Sequence, residues 1–363
     1  MVVAGTLIAG FLALSGWIFY RRPKAAPDKS AAPQAMAVPA VTAAAAADAS
    51  QLEAASNSAS LRLWRLAFGA PVVAPPLVRA HAQVRQLIRA VLEVDELDSN
   101  YFPRRPTLMP QLMQAVNDPG AAAEKLSRMI AHDPVLTADV LRLANSSLYR
   151  ASPAPIETIQ RAIVVCGVEA LRGILATAML RPVFRASRSN FPRLPRMLWE
   201  RTERAARAAE LYAAKNNPQD RFEAQLVVLL RALGPLVVYS AALDGYSRAP
   251  QLTPNPTLFV ELIGTLAPQI SQRIARDWQT SPRLLTALGK SGEDSLATAL
   301  QVGELLGTLS LLESQRVITC DERRDIVKSA GLGDDNLVDD IWSRLTGGEE
   351  ATGPDAVRIQ SGR

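Results

Sequence analysis

The side chains best suited to metal or acid–base chemistry are scarce in this chain of 363 residues, which has two histidines and two cysteines. His132-Asp133 is an adjacent imidazole and carboxylate, a pair that could hold a divalent cation. Pro134 follows at once, and an Asp-Pro step is a helix-start signal in which the carboxylate caps the free N–H groups of the first turn. With no second histidine nearby to complete a ligand set, Asp133 is read as a cap. His81, on a helix ahead of the main body, is read as a solvated surface residue. Cys166 lies in the apolar run Ile163-Val164-Val165-Cys166 and reads as a small buried hydrophobe, and neither it nor Cys320 belongs to a CxxC pair. Ser146, Ser147 and Tyr149 carry hydroxyls, but no histidine lies where it could activate them. Asn145 beside them is suited to satisfying backbone groups at a helix end. No glycine-rich phosphate loop of Walker or dinucleotide type is present. No catalytic residue, metal ligand or cofactor is therefore expected.

The arginines offer the other chemistry. Arg181, Arg185, Arg188, Arg193 and Arg196 fall in or beside a segment rich in Arg, Ser and Pro, expected to be an exposed loop. Arg188, Arg193 and Arg196 are candidate contacts for an acidic partner, a phosphate-bearing ligand or anionic lipid. The bland alternative is solvated arginines on a mobile loop. Arg201, Arg204 and Arg207 alternate with Glu200, Glu203 and Glu210, which predicts surface ion pairs along a helix. The formal net charge is +5, with basic residues interspersed among acids rather than gathered in one stripe, so nucleic-acid binding is disfavoured.

These groups must be positioned by helices. The chain is 48% hydrophobic and rich in Ala, Leu and Arg, while alternating Val/Ile/Thr runs are scarce, which predicts an all-α fold. Residues 1–20 predict a single transmembrane anchor. Val2 to Tyr20 is uncharged and about 28 Å long as a helix, near the roughly 30 Å bilayer core. Trp17 and Tyr20 sit at one end and Arg21, Arg22 and Lys24 follow, placing the downstream side in the cytoplasm. A cleaved signal peptide is the competing reading, though its basic residues would precede the apolar stretch. Residues 21–60, dominated by Ala, Pro, Ser and Asp, predict a flexible tether, helical at times around Ala43 to Ala55. Residues 61–102 predict a helical lead-in, with helices near Leu61 to Phe68 and Leu77 to Leu97. A helical domain follows over 103–290, then C-terminal helices over 291–346 and a frayed tail over 347–363.

Within the main body, Asp133-Pro134-Val135-Leu136-Thr137-Ala138 and Leu141 to Tyr149 are similar to the opening signature of the HDOD family, the HD-related output domain of bacterial signalling proteins. Leu108-Met109-Pro110 with Asn117-Asp118-Pro119 resembles the family's entry. Ile156 to Gly167 with Leu171-Arg172 resembles its Ile-x-x-Ala-Ile-x-x-Leu-Gly-x-x-x-Leu-Arg block. Leu198-Trp199-Glu200 resembles a Leu-Trp-x-His helix. The resemblance covers Pro103 to Leu288 and implies an HD-like helical bundle, related to HD phosphohydrolases and generally non-catalytic.

The departures lie where metal chemistry would be. A Leu-Leu-His-Asp-Ile-Gly remnant reads Leu229-Leu230-Arg231-Ala232-Leu233-Gly234 here. The Leu-Trp-x-His histidine is replaced by Arg201 or Thr202, and those expected around Leu266 to Gln269 and after Ala287 are absent. The expectation is a non-catalytic signalling or protein-interaction module, anchored at the cytoplasmic face of a bacterial inner membrane, with a protein partner the sequence does not name. The alternatives are a residual metal-dependent phosphohydrolase or nucleotide-binding domain, and a structural scaffold of an envelope complex.

Overall fold

The turn signals in the sequence mark where helices begin and end in a computed structural model. It describes residues 40–68, 78–94, 101, 103, 105–115, 122–150, 153–184, 193–289, 294–332 and 336–346. The helices are α1 (Ala40–Ala67), α2 (Arg79–Leu92), α3 (Met109–Ala115), α4 (Ala122–Ala131), α5 (Pro134–Ala144), α6 (Ile159–Leu180) and α7 (Arg193–Asn216). They continue as α8 (Arg221–Arg231), α9 (Leu233–Ser247), α10 (Pro256–Asp277), α11 (Pro282–Gly289), α12 (Ser295–Ser314), α13 (Cys320–Ser329) and α14 (Asn336–Thr346). Among the described residues there is no strand, so the architecture is all-α. The anchor expected over Val2–Tyr20, the tail over 347–363, the Asn117-Asp118-Pro119 step and Arg188 lie outside the described residues.

The local rules explain several boundaries. The Asp133 side chain accepts from the N–H groups of Val135 and Leu136 at 2.9 and 3.1 Å, capping α5. At the other end of α5, the Asn145 amide donates to the carbonyls of Leu141 and Ile156, and its oxygen accepts from Ile156 N–H. Gly167 kinks α6 with φ 81° and ψ 163°, a conformation open essentially to glycine alone. The apolar stretch from Phe222 onward forms two helices, α8 and α9, interrupted at Ala232.

The core is centred on α7 and α12, which pack along their lengths. α8 lies against both, and α9 and α10 pair beside them. α12 needs small residues for this: a side chain at Gly303 would lie 2.6 Å from Ala205 O, and one at Gly307 2.4 Å from Ala205 N. α5 and α4 pack on α6, α2 packs on α9, and α14 closes over α7 and α12. Among the described residues, three helical stretches, Ile159–Phe184, Pro218–Ser247 and Ser295–Ser314, are long and apolar enough to cross a membrane. Their most apolar windows are 56%, 83% and 78% buried within the bundle, which accounts for their hydropathy as core.

The N-terminal expectation needs correcting. Of the tether expected over 21–60, residues 21–39 lie outside the described residues, and from Ala40 it gives way to one helix, α1, through Ala67, whose last turns are the short helix expected at Leu61–Phe68. Leu52, Ala55, Ala59, Leu63, Trp64 and Ala67 recur at helical spacing and are buried. They rest mainly on α12, with α7, α10 and α13 at the margins. An alanine-rich stripe has the composition of a tether but, beside larger side chains from its neighbours, packs as a close-fitting face.

Candidate functional site

The break between α8 and α9 places the residue that stands where the resemblance expects the histidine of the HD pair. The Ser271 hydroxyl, from α10, donates to Arg231 O at 2.8 Å and accepts from Gly234 N–H at 3.2 Å. Two of the backbone groups freed by the break are thereby satisfied. Gly234 must lack a side chain, because a Cβ there would lie 2.1 Å from Ala267 O. Pro235 follows in the first turn of α9, where its missing N–H does no harm. Arg231 is thus carried at the end of α8 with its side chain directed into a cavity.

Arg201 reaches the same cavity from α7. Its Nη2 donates to Glu304 Oε1 at 2.9 Å and its Nε to Thr308 Oγ1 at 2.9 Å, both from α12. Thr202 donates instead to Leu198 O within its own helix. Of the two residues that could occupy the missing histidine position, Arg201 is therefore the one that faces the site. The Arg201 side chain is 6% exposed and that of Glu304 16%. Burial pushes the Glu304 carboxyl upward, but the Arg201 and Arg231 guanidiniums outweigh it and hold the group below the usual carboxylate range. Arg231 also donates to Leu288 O at 3.5 Å, the outer limit of a hydrogen bond.

The cavity measures about 350 Å³ and is lined by Arg201, Arg231, Ala267, Pro268 and Glu304, with Ser56, Asn57, Ser60, Leu61 and Trp64 of α1 across it. Positions expected to hold histidines therefore do converge, but as arginine, alanine and proline. Two guanidiniums and one carboxylate do not fit a divalent cation, which they would repel rather than ligate. Among the described residues, no three His, Cys, Asp or Glu side chains gather as a metal site. The sequence reading missed Glu304, although it is an isolated acid in the apolar run Val302 to Leu306.

Other predicted site residues are dispersed. Arg193 is exposed at the start of α7, and Arg196 lies 3.8 Å from Glu200 on the same helix, a solvated pair. His132 is exposed. His81 is not the surface residue expected: it is 6% exposed, with Nδ1 accepting from Val78 N–H and Nε2 donating to Thr253 O, both at 3.2 Å. Cys166 is half-buried rather than buried, and burial raises its thiol. Arg207 and Glu210 are also not a surface pair. Glu210 is 2% exposed and holds both Arg207 and Arg221, while Arg207 lies over the Tyr149 ring at 5.0 Å. The Tyr149 hydroxyl accepts from Gln225 Nε2 at 2.7 Å, so this residue is structural.

Glu203, one turn from the Glu200–Arg196 pair, carries a measurable consequence. Burial pushes its carboxyl up from 4.5 to about 7 against the attraction of Arg142. A carboxyl raised on folding contributes stability that is fully present below its unfolded value and lost as pH rises through about 7. Urea midpoints measured between acid and mildly alkaline pH should fall over that interval, and Glu203→Gln should flatten the fall. An unchanged profile in the variant would assign the slope elsewhere.

The HDOD domain model matches residues 102–292. Solved structures similar to this chain include the following three. One from Shewanella amazonensis, provisionally named a metal-dependent phosphohydrolase, is 16% identical, covering 75% of this chain and 100% of its own, with a TM-score of 0.52. An HDOD domain protein of unknown function from Geobacter sulfurreducens is 20% identical, covering 74% of this chain and 90% of its own, with a TM-score of 0.49. A second Shewanella amazonensis protein, provisionally named a phosphohydrolase, is 23% identical, covering 75% and 98%, with a TM-score of 0.48. At 16% identity the likeness to the first of these is one of fold. No curated protein matches the chain.

Proposed function

This chain belongs to the HDOD family, and from that premise we propose that it acts by binding rather than by metal-dependent hydrolysis, as a signalling or protein-interaction module. The observation that carries this reading is the ion pair between Arg201 and Glu304 beside Arg231. Positions that would supply imidazole ligands supply guanidiniums, and the cavity's carboxylate is already engaged by one of them. Such a site is held together by its own charges, and one carboxylate between two guanidiniums is too small a donor set for a divalent cation. The Shewanella protein's designation belongs to that protein and its own residues.

In the same reading, Val2 to Tyr20 anchors the protein in a bacterial inner membrane, with the bundle at the cytoplasmic face. An anchor of that kind would raise the bundle's local concentration near membrane partners. The alanine-rich surface of α1 is occupied by the bundle, so a partner would engage another face. Metal analysis of the purified full chain should find no stoichiometric manganese, iron or zinc, and bis(p-nitrophenyl) phosphate should not be hydrolysed above the buffer rate. Stoichiometric metal accompanied by hydrolysis would overturn the reading. Removal of residues 1–24 should release the protein from membranes, and continued attachment would refute the anchor.

A further inference from the structure

We infer that the cavity between α1 and the bundle is a binding site for a small oxyanion-bearing molecule, a phosphate ester or a carboxylate. Its charged lining comprises Arg201 and Arg231 against the single carboxylate of Glu304, leaving one formal positive charge in a confined space. Glu304 is bonded directly to Arg201 at 2.9 Å. Arg231 lacks so close a partner in this lining: it acts on Glu304 through space and reaches Leu288 O only at 3.5 Å. Its planar fork is the geometry that grips phosphate or carboxylate through two parallel N–H bonds. A half-buried cation without a close counter-ion gains more from such a ligand than a solvated one.

The remaining lining suits a small molecule. Ser56, Asn57 and Ser60 present neutral polar groups from α1, and Leu61, Trp64 and Ile263 add an apolar wall. About 350 Å³ is near the lower end of small-molecule sites. Because α1 forms one side, an occupant would bridge this helix to α7 and α8. The inference concerns the same cavity as the non-catalytic reading but does not depend on it, since an anion can bind whether or not hydrolysis occurs.

Calorimetry of the detergent-solubilised full chain with sodium phosphate, and separately with sodium acetate, tests it against sodium chloride at matched ionic strength. A saturable heat with one ion bound per chain is expected. Phosphate alone would assign a phosphate ester, and comparable acetate binding would assign a carboxylate. Arg231→Gln should weaken binding by about tenfold or more, the loss of one charge-assisted bidentate contact. Ser60→Asp, which adds a negative charge on the α1 side, should weaken it without touching the arginines. Saturable heat from neither anion, or wild-type affinity in both variants, would overturn the inference. Metal content and hydrolysis are read separately, so failure of anion binding alone leaves the non-catalytic reading standing.

Discussion

Replacing Arg201 by leucine should destabilise the protein by about 3 kcal/mol, read as a lowered urea midpoint with little change in slope. Losing one partner of a buried ion pair typically costs about 3–5 kcal/mol because the other charge stays buried. The lower end applies because Arg231 also acts on Glu304 and remains in place. Thr308 Oγ1 would lose its partner as well, but it also donates to Glu304 O at 2.6 Å and stays satisfied. The double variant Arg201→Leu, Glu304→Leu should recover most of the loss, since apolar replacement of both members of a buried pair is often neutral. The sign with pH is distinctive. In the wild type, Glu304 is held below its ordinary value, so its contribution is present above the unfolded value and lost as pH falls through the folded one. Without Arg201, burial opposes ionisation more strongly, so the gap between wild type and single variant should narrow in acid. A single variant as stable as wild type at neutral pH would mean that the pair does not organise this site.

What the sequence revealed of the fold followed from signals that are local. Asp133-Pro134 announces a cap, Asn145 a helix end and Gly167 a break, because each acts through its own backbone neighbours. The absence of imidazoles at Arg201 and Arg231 was equally legible, since residue type alone excludes them as cation ligands. What Arg201 binds was not legible: it was read among surface ion pairs with the glutamates of α7, whereas its partner is Glu304, 103 residues away. Burial of His81 was hidden for the same reason, because Thr253 O and the Tyr246 ring arrive from distant segments. α1 was read only in pieces because alanine serves both tethers and close-packed helix faces. Only the surface of α12, which sequence periodicity does not describe, distinguishes them.

That surface supports the second large effect. Gly307→Ala should destabilise by about 3 kcal/mol or more, although alanine is the better helix former by about 1 kcal/mol. A Cβ at Gly307 would lie 2.4 Å from Ala205 N, 2.5 Å from Ala205 Cα and 2.7 Å from Ala205 Cβ. Two of these atoms belong to the backbone of α7, so no rotamer change relieves the contact and the helices must separate. Trimming the partner by Ala205→Gly removes only the third atom and should rescue little. Separation would also loosen contacts along the α7–α12 seam, including the Arg201–Glu304 and Arg201–Thr308 bonds that cross it. Gly264 in α10 supplies the contrast: a Cβ there meets nothing within 4 Å, so Gly264→Ala should stabilise the protein by up to about 1 kcal/mol. Opposite shifts in melting temperature for these two identical substitutions would isolate backbone approach from helix propensity. Stabilisation in both would show that α12 can stand further from α7 than the packing indicates, and the cavity between α1 and the bundle would then have a movable floor.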